Sequence, residues 1–167
     1  MSRLTYTLTY TMLAAVAATL LGSATVSAAQ PPIPADIAVP RVPPEHLAEA
    51  RALQNPLRFT AAAVLRGKRA YLSFCSSCHG KGEEGKGPRS KALKAAPRNF
   101  HLPEFHRART DGELYWVIKY GSRLTKDMPA WGRRLTDETI WSIVFFLRTL
   151  PTYEGVKGSD KKLPMVN

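Results

Sequence analysis

Cys75-Ser76-Ser77-Cys78-His79 decides the reading of this chain. Two thiols three positions apart, near the end of a helix, can reach the two vinyl groups along one edge of a haem. The histidine that follows projects over the same macrocycle and can reach its iron. C-x-x-C-H is the signature of c-type haem attachment. The rival readings need what the chain lacks. A structural zinc wants two further ligands at suitable spacing, and Cys75 and Cys78 are the only cysteines. A redox dithiol belongs at a strand-to-helix junction, and no β-α-β pattern is present. A plain disulfide would leave His79 without a role. One covalently bound haem c is therefore expected, ligated by His79.

The sixth iron position points to Met128, in Thr125-Lys126-Asp127-Met128-Pro129-Ala130-Trp131. Its thioether is a soft ligand, and His/Met ligation raises the reduction potential into the range of electron carriers. Of the four methionines, Met1 and Met12 lie in the N-terminal leader and Met165 in the tail. His101 and His106 are the alternatives; either would make a bis-His, lower-potential iron. An apolar hollow beside His79 and Met128 would then be room for the cofactor, not a substrate site.

Outward from the motif, Thr60 can cap a helix running to Phe74, with Val64, Leu65, Tyr71, Leu72 and Phe74 as apolar contacts. A Gly- and Lys-rich loop follows from Gly80 to Pro97. Thr110-Asp111 opens a second helix, Gly112 to Tyr120, stopped by Gly121. Thr136 caps a last helix carrying Ile140, Ile143, Val144, Leu147 and Leu150 on one face, stopped by Pro151. No stretch alternates as a strand would. The expectation is an all-α domain over 57–150, with three main helices and loops around the haem.

The flanks read differently. Met1 to Ala29 has one charge, Arg3, an apolar run from Met12 to Leu21, and Val26-Ser27-Ala28 at a peptidase site: an export signal. The run is short for a membrane span and contains Thr19, so cleavage is expected; left uncut, it would hold the chain at a membrane. Residues 30–56 hold Pro31, Pro32, Pro34, Pro40, Pro43 and Pro44, predicting an extended polyproline-like arm that ends in a short helix, Glu45 to Gln54, packed on the domain. Residues 151–167 read as a basic, flexible tail. The chain carries 24 Lys and Arg against 13 Asp and Glu, a net charge of +11. Such a surface speeds encounter with anionic partners. In an exported protein, acidic faces of redox partners fit better than nucleic acid. The Lys and Arg residues from Lys81 to Arg134 cluster on the loops around the motif.

With these motifs in place, the chain resembles class I cytochromes c, bacterial monohaem periplasmic ones in particular. The resemblance spans Leu57 to Leu150. It rests on Gly67-Lys68-Arg69-Ala70-Tyr71, Cys75 to Gly80, Gly87-Pro88, Ala96-Pro97-Arg98-Asn99-Phe100, Met128-Pro129-Ala130-Trp131, and Trp141 to Leu150. It implies that the first and last helices cross at Gly67, that Tyr71 and Phe146 stack there, and that Leu147 faces the haem. It also implies a proline carbonyl accepting the N–H of the axial histidine; Pro88 fits by spacing, with Pro97 as the other candidate. Arg98, Asn99 and Trp131 are candidates for the haem propionates. Lys126 and Asp127 depart from the family's small residues before the methionine. The implied function is a periplasmic single-electron carrier rather than an enzyme. The alternatives are a haem c subunit of a respiratory or oxidising complex, or a sensor or peroxidase-like protein with an open sixth position.

Overall fold

The computed structural model describes residues 30–150. The expected export signal, its expected cleavage site and the tail over 151–167 lie outside these residues. In chain order the helices are α1 (Ala35–Ala38), α2 (Pro44–Ala52), α3 (Ala61–Phe74), α4 (Ser76–His79), α5 (Pro103–Ala108), α6 (Asp111–Tyr120) and α7 (Asp137–Thr149), with a single 3-10 turn at Ser90–Ala92. Among the described residues there is no strand, and no helix is long and apolar enough to cross a membrane.

The three main helices start where their caps dictate. The Thr60 hydroxyl accepts from Ala63 N at 3.1 Å, and the Thr136 hydroxyl from Thr139 N at 3.2 Å. Thr110 and Glu113 form a reciprocal box: Thr110 N donates to Glu113 Oε2 at 2.9 Å and Glu113 N donates to Thr110 Oγ1 at 3.1 Å. Each cap satisfies N–H groups that the first turn leaves without helical acceptors.

The core lies where α3 crosses α7. Ile140, Ile143, Val144, Phe146 and Leu147 are buried on α7, and Ala63, Ala70 and Tyr71 on α3. Gly67 permits the approach. A Cβ there would land inside contact distance of the Ser142 carbonyl, so any side chain would push the two backbones apart. Tyr71 and Phe146 meet at the crossing with centroids 5.4 Å apart, tilted at 55° rather than stacked. The Tyr71 hydroxyl donates to Gly80 O at 2.8 Å, tying the crossing to the end of the cysteine turn.

The proline arm is not simply extended. It contains α1, and it is built into the domain through buried Ile37, Val42 and Ala50. Proline removes backbone donors but leaves carbonyl acceptors. Arginines of the domain meet them. Arg107 donates to Pro31 O at 2.7 Å, Arg109 to Val39 O at 2.6 Å and to Ile37 O, and Arg123 through its backbone N to Arg41 O at 3.0 Å. The helix expected over 45–54 stops at Ala52. Leu53 is already extended, and Asn55, ahead of Pro56, turns its side chain to Leu57 N and Trp141 O. α2 lies against α6 at Gly112, where a Cβ would strike Ala50 O.

Candidate functional site

One cleft, with about 990 Å³ of space that includes open solvent, gathers several of the residues singled out in the sequence. Cys75, Cys78, His79, Met128 and Trp131 line it, with Leu114, Val117, Ile118 and Leu147 as apolar wall. Its apolar lining suits a flat, mostly apolar ligand.

The cysteine turn presents its three groups from a single helical turn. Cys78 N and His79 N both donate to Cys75 O, at 3.1 and 2.9 Å. Both cysteines are free thiols. Burial, and then the neighbouring Cys78, push the Cys75 thiol up to about 12. That is the reverse of the lowered value a redox dithiol needs. Among the described residues, no group of three His, Cys, Asp or Glu could hold a metal ion. Burial pushes His79 down to about 4, so its imidazole is neutral at physiological pH. Its Nδ1 lies 3.3 Å from Arg98 O. A carbonyl can only accept, so Nδ1 carries the proton and Nε2 keeps its lone pair. The ring stacks on Phe100 at 4.7 Å.

The Arg98 carbonyl corrects the expectation for Pro88. Gly87 N bonds Cys78 O and Arg89 N bonds Ser77 O, which fastens Pro88 along the backbone of the cysteine turn, where it is exposed and outside the cleft. The next loop pass crosses Gly85 closely at Pro97, and Phe100 N bonds Glu83 O. That crossing carries the carbonyl one residue after Pro97 to the histidine.

Met128 is held by backbone anchors on the end of α6. Ser122 N donates to Met128 O at 3.1 Å and Trp131 N to Ile118 O at 3.0 Å. Gly121, at φ +88°, turns the chain there, and a Cβ on it would sit 2.9 Å from Met128 O. Asp127, unusual by the resemblance, has a structural role. Its carboxylate accepts from Lys94 N at 2.8 Å and Ala95 N at 3.3 Å, joining the methionine loop to the 94–95 loop, both of which reach the cleft. His101 and His106 stay out of the cleft. His101 Nε2 meets Gly82 O at 2.8 Å, and His106 Nε2 meets Phe100 O at 2.6 Å. Arg98 and Trp131 line the cleft; Asn99 does not, and its side chain closes a turn on His101 N at 2.9 Å.

The sequence reading missed Arg41, Val42 and Arg109, which also line the cleft. The one signal for the first two was an apolar valine and a charge set among prolines, Pro40-Arg41-Val42-Pro43.

The family described as cytochrome c oxidase, cbb3-type, subunit III matches residues 62–147. The chain belongs to this family. The matched segment is a class I c-type cytochrome domain, one that binds haem and transfers electrons to redox partners. The residues fit that group: the cleft is apolar, two thiols and a neutral imidazole share one turn, and a thioether lies on the same lining. No curated protein matches the chain. Among solved structures, it is similar to a chain of the reducing HAO-like protein complex of Kuenenia stuttgartiensis, with 25% identity over 59% of this chain and a TM-score of 0.52. The likeness covers 49% of that chain, so this protein spans about half its length.

Proposed function

We propose that this chain is an exported electron carrier holding one haem, attached covalently through Cys75 and Cys78 and ligated by His79 and Met128. The observation that carries the reading is that all four residues line one apolar cleft. When bound, the haem supplies a one-electron iron couple whose potential follows its axial ligands and surroundings. The protein's own contribution is positional. Arg98 O fixes the His79 tautomer and leaves Nε2 free for iron. Gly121 and Asp127 hold the Met128 loop in place. Leu114, Ile118 and Leu147 exclude water. With both axial positions filled by protein, no position remains for a substrate, which favours a carrier over a peroxidase or sensor.

Partner docking falls to the loop cations. Lys81, Lys86, Arg89, Lys91, Lys94, Arg123, Lys126, Arg133 and Arg134 are exposed. Lys119 is spent, bonding Asp137 at 2.8 Å and the Tyr115 hydroxyl at 2.8 Å. A periplasmic location, reached by cleavage of 1–29, and partners with acidic faces are consistent with this charge. A second reading, a fixed haem subunit of a larger complex, is favoured by the family's description as an oxidase subunit and by the neighbour's membership of a complex. Co-purification of a stoichiometric partner separates the two.

The test is to mature the protein in a periplasm and stain for haem after denaturing electrophoresis. Retained haem, with a weak far-red methionine-to-iron band that Met128→Ala abolishes, supports the reading. Loss of haem on denaturation, or wild-type protein that lacks the band and binds carbon monoxide when reduced, overturns it.

A further inference from the structure

The arm brings to the cleft a cation that no protein group satisfies. Arg41 lies outside the matched family segment 62–147, yet it lines the cleft beside Val42, which is 1% exposed and therefore firmly seated. The backbone around it is pinned: Pro40 O accepts from Arg123 Nε at 3.2 Å and Arg41 O from Arg123 N at 3.0 Å. The side chain is not. Its Nε is buried without a hydrogen-bond partner, and its guanidinium joins none of the ion pairs among the described residues. Burying such a donor unpaired is costly, and native structures rarely leave one so.

The other charges around it have partners, Glu113 only at one oxygen. Arg98 from the 94–100 loop pairs with Asp36 of α1 at 2.8 Å. Arg109, just before α6, donates to Val39 O at 2.6 Å and Ala108 O at 2.7 Å. Glu113 of α6 accepts from Thr110 N through Oε2, while its Oε1, 3.6 Å from Arg51 of α2, makes no hydrogen bond. Asp127 of the methionine loop is taken by two backbone N–H groups, and His79 of the cysteine turn is neutral. Arg41 is left facing Arg98 and Arg109. Burial and those two like charges lower its pKa, while Asp36 only partly offsets them. A half-buried guanidinium with an unpartnered Nε on the wall of a cofactor cleft is a carboxylate site, because its planar fork matches a carboxylate and its charge stays on.

We propose that Arg41 binds a propionate carboxylate of the haem, so that the proline arm is a working wall of the cofactor site, held closed by the cofactor itself. This rests on the haem reading above. The test uses the matured holoprotein and its Arg41→Gln and Arg41→Lys variants. The readouts are covalent haem after denaturation, reduction potential from pH 5 to 8, and tryptic cleavage after Arg51, a site all three proteins keep. Arg41→Gln is expected to keep its covalent haem and shift to lower potential, since removing a cation favours the oxidised, more positive iron. It should also gain a pH-dependent segment as the freed propionate titrates, and lose protection at Arg51. Arg41→Lys should recover most of the potential, since it keeps the charge. If Arg41→Gln yields no holoprotein, Arg41→Lys carries the test: loss of the fork should steepen the pH dependence, and an unchanged slope overturns the proposal. A Gln variant with intact covalent haem and an unaltered potential and pH profile also overturns it. So does a wild-type potential that follows added phosphate, which would make the bound anion a solution ion. Wild-type protein without covalent haem would instead be a failure of the haem reading, visible in the first readout.

Discussion

The α3–α7 crossing and the proline arm on α6 use one device and differ in the contacts around it. Each is a place where a helix backbone meets a carbonyl with no room for a side chain: Gly67 against Ser142 O, and Gly112 against Ala50 O. Around Gly67 most of the contact is apolar packing, with Ile143 and Val144 almost wholly buried, and Arg66 adds a polar margin to Ser142 Oγ and Glu138, each at 3.0 Å. Around the arm the buried Ile37, Val42 and Ala50 are joined by polar contacts, with arginines of the domain donating to the arm's carbonyls. Apolar packing is short-ranged and indifferent to salt. A latch that includes charges near the surface is neither. The cleft is lined from both regions, by Phe74 and Leu147 from the crossing helices and by Arg41 and Val42 from the arm.

The largest expected effect breaks the crossing. Gly67→Ala gains about 1 kcal/mol in helix propensity but must force the α3 and α7 backbones apart, an overpacking strain of about 3 kcal/mol or more. We expect a net loss near 2 kcal/mol in denaturant unfolding and a lower yield of holoprotein. Gly112→Ala meets the same kind of clash, but the arm can lift where α7 cannot. Its net loss in global unfolding should be about 1 kcal/mol or less, with fast tryptic cleavage after Arg51. Equal losses at the two sites would mean that the arm belongs to the core as fully as α7 does.

The same contrast explains what could be read from the sequence. Caps and apolar faces are local, so Thr60, Thr110 and Thr136 and the face of α7 marked the three main helices to within a residue or two. Cys75, Cys78 and His79 could be singled out because the chemistry expected of them depends on spacing alone, and the structure brings all three to one turn on the cleft. The arm was not, because its order comes from partners 62 to 83 residues away, such as Arg98 for Asp36 and Arg123 for Pro40. Composition reports the missing donors of six prolines and says nothing of who supplies them. Pro88 failed for a related reason. Spacing along the chain could not foresee that the loop doubles back at Gly87 and delivers the Arg98 carbonyl to His79 instead.

A smaller effect tests the seam between the two regions. His106, on α5, faces Arg148 of α7 at 3.3 Å and bonds Phe100 O. Burial lowers its pKa below the ordinary 6.5; Arg148 and His101 act the same way, while the Phe100 carbonyl and Asp111 oppose them. As pH falls through 6.5, the unfolded chain binds a proton that the folded chain resists, so stability declines until the folded value is passed. Thermal unfolding of the holoprotein from pH 7.5 to 5 should show this decline, and His106→Gln should flatten it. A variant with the wild-type slope would assign the decline to other groups.

The smallest effect probes the latch itself. Asp36 is 74% exposed on its side chain, while its partner Arg98 is 13% exposed, so the pair is half in solvent. Exposed ion pairs contribute about 0–1 kcal/mol and weaken with salt. Asp36→Asn should therefore barely move global unfolding, yet it should speed tryptic cleavage after Arg51, because only the arm has to open for that cut. Raising salt on the wild-type protein should do the same, and it should do little to the variant, which has no pair left to screen. If salt speeds cleavage equally in both, the charge of Asp36 is not what holds the arm, and the carbonyl bonds of Arg109 and Arg123 hold it alone.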